Sequence, residues 1–182
     1  MRGVVVLGNG FEITEALTTI NILKRAAIQV DSASANPDLE VISSNQTKVI
    51  AERLLKDITE KEYDFLVIPG GKAVFSVWDH NERIHSLIRQ FHQKNKYIFA
   101  ICAAPYLLAK NGLLKELPYT CFPGCDQGWE GKQKKKDGVV VTPNIITAKA
   151  MYYTIDFALA IVEKLSGTKK KEEILASVKG VK

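Results

Sequence analysis

Apolar positions along the chain alternate between two patterns. Short continuous apolar runs read as buried strands, and apolar residues spaced three or four apart read as amphipathic helices. Val4–Leu7 is the first such run, and Glu12–Ala26 follows as a helix with Ile13, Leu17, Ile20 and Leu23 on one face. A second strand begins at Ile28–Val30. Val41–Ile50 predicts a hairpin that turns at Ser44-Asn45-Gln46. Asp64–Ile68 is a buried strand stopped by Pro69-Gly70-Gly71, and Asn81–Asn95 is a helix with Ile84, Leu87, Ile88 and Phe91 on one side. Tyr97–Ile101 is another buried strand, and Tyr106–Asn111 is a short helix that stops near Gly112. A weaker strand is predicted at Tyr119–Pro123, and two more at Gly138–Thr142 and Asn144–Thr147, either side of Pro143. Tyr152–Leu165 is a helix closed by Gly167, and Glu172–Val178 is a short terminal one.

Strands alternating with helices predict a parallel sheet with helices on both faces, a single doubly wound α/β domain over residues 1–182. There is no internal repeat and no low-complexity segment. At 182 residues, 46% hydrophobic and 25% charged, the chain has the length and composition of one globular domain. No stretch approaches the roughly 20 apolar residues of a membrane span. The acidic Glu12 and Glu15 soon after Val4–Leu7 favour a strand over a signal peptide, so a cytoplasmic location is expected.

The formal charge of +5 gathers in two lysine groups, Lys132/Lys134/Lys135/Lys136 and Lys169–Lys171. Neither is interleaved with aromatic residues, so both read as solvated surface and not as a nucleic-acid platform. Cys102, Cys121 and Cys125 form an odd set without a paired framework, which fits reduced thiols.

Three predicted strands end in small residues: Gly8-Asn9-Gly10, Pro69-Gly70-Gly71 and Cys102-Ala103-Ala104. In an open parallel sheet these ends converge on one edge, where ligands bind. The first is not a dinucleotide fingerprint, because Ile13 stands where its third glycine would fall. Cys102 lies where a strand ends and a helix begins, a position that favours a thiolate through helix amides and dipole. The alternative is a small buried hydrophobe. Gly70-Gly71 lets the backbone come close and offers an amide to an oxyanion, or is a plain turn. Glu12 reads as a dipole complement. Glu15 would project toward the strand ends and Cys102. Ionised, it would raise the thiol; protonated, it would donate to the thiolate and lower it, and the two would titrate as a pair.

The segments Gly10-Phe11-Glu12-Ile13-Thr14-Glu15, Val67–Gly71 and Ala100–Pro105, in that order, resemble the ThiJ/PfpI superfamily. Leu23–Ala26 and Phe157–Glu163 are similar to its branch of Parkinsonism-associated protein deglycases and bacterial ThiJ relatives. The resemblance implies a flavodoxin-like sandwich and a homodimer. It implies Cys102 as an oxidisable nucleophile and Glu15 as its protonated partner. Gly71 and Ala103 would supply oxyanion amides, and Arg25 would lie near a dimer-side pocket. It implies action on a small reactive carbonyl such as methylglyoxal, as a glyoxalase or deglycase without a cofactor. The alternative is a redox sensor or redox-regulated chaperone working through Cys102 oxidation, with an oxidant as its partner.

The chain departs from that pattern in two places. Ala103 follows the nucleophile where the protease branch has His, which argues against a Cys-His peptidase. Phe122 stands before Pro123 where the deglycase branch has His. His80, His85 and His92 read as a solvated helix face with no metal partner. Cys121-Phe122-Pro123-Gly124-Cys125 lacks further metal ligands, and Cys125 is expected to be exposed with a secondary redox role. Trp129, in a Gly-rich loop, is expected to be a lid or subunit contact.

Overall fold

The computed structural model describes residues 1–129, 131–134 and 136–181. Lys135, one of the first lysine group, lies outside the described residues. Among the described residues, eleven strands and five α-helices follow in chain order: β1 (Arg2–Leu7), α1 (Ile13–Arg25), β2 (Gln29–Ser34), β3 (Glu40–Ile42), β4 (Lys48–Ile50), β5 (Arg53–Leu54), β6 (Phe65–Ile68), α2 (Glu82–Gln93), β7 (Tyr97–Ile101), α3 (Pro105–Lys110), β8 (Pro118–Tyr119), β9 (Lys132–Gln133), β10 (Val139–Val141), β11 (Ile145–Ala148), α4 (Thr154–Ser166) and α5 (Thr168–Lys179).

Seven strands make the central sheet, in the order β10-β11-β7-β6-β1-β2-β5. Every pairing is parallel except β10 with β11. The central strands are buried end to end: Val4–Leu7, Phe65–Ile68 and Ile98–Ile101 are closed to solvent. That explains why they read as continuous apolar runs, since helices cover both sides of a parallel sheet. The helices follow from local chemistry as well as packing. The Asn81 side chain accepts from the Arg83 and Ile84 amides and starts α2, whose Ile84, Leu87, Ile88 and Phe91 are wholly buried. Each such apolar side chain contributes roughly 1.5–3 kcal/mol relative to exposure. β1 has β2 on one side and β6 on the other. The chain therefore reverses direction across the sheet at β1, and the loops after β1 and β6 flank the crevice where such sheets bind ligands.

Several expectations are corrected. The predicted strand at Tyr119–Pro123 stops at Tyr119, because the Phe122 N–H turns to the Cys102 carbonyl at 2.8 Å instead of joining a ladder. The terminal helix starts at Thr168, not Glu172. Lys169–Lys171 therefore belong to its first turn, where Lys171 pairs with Glu163 of α4 and Lys170 with Glu173. Lys132 lies in β9 and pairs with Glu116. His85 is buried: one ring nitrogen meets the Asp79 carbonyl at 3.0 Å and the other meets the Asn111 amide at 2.7 Å. No helix among the described residues is long and apolar enough to cross a membrane.

Candidate active site

Cys102 follows the last residue of β7 with φ of 64°. That left-handed backbone is uncommon for a side-chain-bearing residue and marks a sharp strand-to-helix turn. Three hydrogen bonds hold the turn. The Cys102 N–H donates to the Ala148 carbonyl at 2.9 Å, the Ala104 N–H to Ile101 at 3.1 Å, and the Phe122 N–H to Cys102 at 2.8 Å. Pro105 begins α3, a position where its missing N–H is not needed. The sequence places a thiol at the sheet edge, and the tertiary hydrogen bonds fix its direction.

Glu15 reaches the same point from the first turn of α1. The Glu12 carboxylate accepts the Glu15 N–H at 2.6 Å and caps the helix, as its dipole position predicted. The Glu15 side chain is fully buried, and its Oε2 accepts the Gly70 N–H at 2.7 Å. Burial, ahead of the nearby Glu12 charge, pushes the Glu15 carboxyl up to about 7, against the Gly70 and Cys102 hydrogen bonds that pull it down. Burial also pushes the Cys102 thiol up, and the Glu15 charge adds to that, while a hydrogen bond from the Ala103 amide opposes it. Two groups in contact that each resist ionising will share one negative charge and one proton, and the pair titrates as a unit.

Gly70 is the joint of this arrangement. A Cβ built on it would stand 2.6 Å from Cys102 Cβ, 2.7 Å from Glu15 Oε2 and 3.0 Å from Cys102 Sγ. Only a glycine leaves room for the thiol and carboxyl to meet the β6 turn together. Gly71 takes φ of 97° and packs its backbone against Phe11 and Glu12. Among the described residues no acceptor takes its N–H. Gly70→Ala is therefore expected to separate the pair. Overpacking of this kind costs about 1–3 kcal/mol. Thermal unfolding should register that loss, and Cys102 alkylation near neutral pH should lose the pH dependence set by Glu15.

The structure thus brings together Cys102, Glu15, Gly71 and Ala103. It does not bring Arg25 to them. Arg25 ends α1, ten residues beyond Glu15 and so about 15 Å along the axis, and it bonds Asn21 and Ser177 of α5. Sequence reasoning named Gly71 but missed that Gly70 holds the carboxyl; the Gly-Gly pair was the available signal. Phe122, where the resemblance implies an imidazole, is 46% exposed beside the site. Cys125 is half-buried and packed on the core, not exposed as expected. Trp129 stacks on Tyr106 at 5.0 Å between ring centroids, and Tyr106 lies one turn beyond Cys102.

Comparison with known proteins matches this geometry to one family. The family model described as DJ-1/PfpI family matches residues 1–164. Protein DJ-1 homolog B of Arabidopsis thaliana is 34% identical over 91% of this chain, which spans 38% of that longer protein. A second Arabidopsis relative, Protein DJ-1 homolog A, is covered to 41%, so the chain spans about two-fifths of these relatives. The glutathione-independent glyoxalase DJR-1.2 of Caenorhabditis elegans is 30% identical, with 90% of this chain and 88% of the relative covered. The crystal structure of Drosophila melanogaster DJ-1beta superposes with a TM-score of 0.91 at 28% identity, covering 100% and 98% of the two chains. The mostly parallel sheet with its surrounding helices is the flavodoxin-like fold of these proteins, and the chain belongs to the DJ-1/PfpI family.

Proposed function

We propose that this chain is a cofactor-independent enzyme of the stress response that converts a small 2-oxoaldehyde to a 2-hydroxy acid through Cys102. The observation that carries the reading is the fully buried Glu15 carboxyl, held on the Gly70 amide and packed with Cys102 around the same glycine. The glyoxalase name of the Caenorhabditis elegans relative supports the same class of substrate.

The chemistry follows from the pair. The Cys102 thiolate attacks the aldehyde carbon, and a carbon–sulfur bond forms as the carbonyl electrons move to oxygen. In this mechanism the amides of Gly71 and Ala103 receive that oxyanion, which then takes a proton to give a hemithioacetal. Glu15 removes the proton from the former aldehyde carbon and returns it to the neighbouring carbon, through an enediol. The product is a thioester of the 2-hydroxy acid. Water cleaves it, releasing the acid and the thiol, so no net oxidant or reductant is consumed. Without an imidazole at Phe122, Glu15 alone carries the proton.

The test is consumption of methylglyoxal by the purified chain without glutathione or metal, with lactate measured as product. Absence of lactate would exclude this reading. The pair also sets a pH dependence. Below about 7 the pair holds both protons and no thiolate exists; above it one proton has left. The rate of Cys102 alkylation by iodoacetamide should therefore rise through pH about 7 and level off. A midpoint near that of an ordinary cysteine, about 8.5, would separate Glu15 from the thiol.

A further inference from the structure

Cys125 has no part in the carbonyl chemistry, yet the backbone ties it to Cys102. The Phe122 N–H donates to the Cys102 carbonyl, and the chain then turns back on itself over Phe122–Cys125. The Cys125 N–H closes that turn on the Phe122 carbonyl at 3.0 Å. Pro123 stands second and Gly124 third, with φ of 84° at the glycine, the pattern of a type II turn. Four residues thus lead from a hydrogen bond on Cys102 to a second thiol. A negative charge on Cys125 would push the Cys102 thiol up, after burial and the Glu15 charge.

The third thiol is placed differently. Cys121 is 1% exposed, and its sulfur takes a hydrogen bond from Gln133 Nε2 at 3.4 Å. Burial pushes it up to about 12, so it holds its proton more firmly than a free thiol. Cys125 is half-buried and ends a turn, and from there to Trp129 the chain forms turns with neither strand nor helix. A disulfide needs Cα atoms about 4.4–6.8 Å apart, so the crosslink requires this turn to close on Cys102.

We propose that Cys125 is the resolving thiol of Cys102, and that a hydroperoxide converts the two to an intramolecular disulfide. The Cys102 thiolate attacks the terminal peroxide oxygen. The O–O bond breaks, an alcohol or water leaves with a proton, and Cys102 becomes a sulfenic acid, oxidised by two electrons as the peroxide is reduced. The Cys125 thiolate then attacks the Cys102 sulfur. The S–S bond forms, the S–O bond breaks, and hydroxide leaves as water with the proton that Cys125 released. The sum is two thiols and one hydroperoxide giving one disulfide, one alcohol or water, and one water. The disulfide diverts Cys102 from the irreversible sulfinic step, and a dithiol restores both groups. This inference rests on Cys102 being nucleophilic, as proposed above, but not on turnover of any carbonyl.

The test is oxidation of the full chain with two equivalents of hydrogen peroxide, enough to place two oxygens on one sulfur. Remaining thiols are then blocked with N-ethylmaleimide, followed by intact-mass measurement and peptide mapping. The expected result is loss of two hydrogens, a peptide joining Cys102 to Cys125, a single blocked thiol at Cys121, and reversal by dithiothreitol. Cys125→Ser should instead gain two oxygens at Cys102, and Cys121→Ser should still form the crosslink. Two oxygens on Cys102 of the unsubstituted chain, with Cys125 blocked by maleimide, would overturn the resolving role alone. So would a crosslink between Cys121 and Cys125. A Cys102 that neither peroxide nor iodoacetamide modifies would overturn this inference and the nucleophile together.

Discussion

Cys102→Ala is expected to lower methylglyoxal consumption to the rate of protein-free buffer, a loss of at least about a thousandfold, or about 4 kcal/mol of transition-state stabilisation. The covalent route depends on Cys102, because Cys121 is buried and burial with the Asp126 charge pushes the Cys125 thiol up. The substitution should spare the fold. Cysteine and alanine bear the left-handed backbone at this position with similar strain, and the three hydrogen bonds that hold the turn come from main-chain atoms. The change removes only one partly exposed sulfur. Lactate production and thermal unfolding, measured on the same preparation, separate the two effects. Retained turnover with an unshifted Tm would move the chemistry away from Cys102.

The sheet was legible in the sequence because buried parallel strands leave continuous apolar runs, and Val4–Leu7, Phe65–Ile68 and Tyr97–Ile101 are such runs. The start of α5 was hidden because Lys169–Lys171 carry no apolar period. That turn draws support from Glu163 on another helix and from Ile174, buried one turn later. His85 read as surface because its partners are carbonyl and amide groups brought to it by α3 and the turn before α2. The site was legible to the extent that strand ends converge. Cys102 and Glu15 were placed by that rule with the resemblance, and burial pushes the carboxyl up toward its protonated form. Which glycine meets Glu15 depends on the stagger of β6 against β1 and β7, which no local pattern encodes. Arg25 was drawn in by resemblance alone, and helix length carries it to the opposite end of α1.

Glu15→Gln is expected to weaken the enzyme and strengthen the protein. Glutamine can accept the Gly70 N–H through its amide oxygen, but it cannot take a proton from one carbon and return it to the next. Loss of a positioned acid–base group costs about a hundredfold to ten-thousandfold in rate. The rise in Cys102 alkylation through pH about 7 should also vanish, leaving a buried thiol that ionises above its ordinary range. Stability moves the other way. The folded Glu15 carboxyl is raised from 4.5 to about 7, so the folded state holds its proton more tightly than the unfolded state. Its favourable contribution is complete below pH 4.5 and is lost as pH rises to about 7, a difference of about 3 kcal/mol. Glutamine mimics the protonated acid at every pH and so avoids that loss. At pH 8 the variant should melt roughly 6–12 °C above the unsubstituted chain, and the gap should close as pH falls toward 4.5. A variant less stable at pH 8 would mean that the buried carboxylate is better satisfied than its surroundings indicate. The protonated-partner reading of Cys102 chemistry would then fail with it.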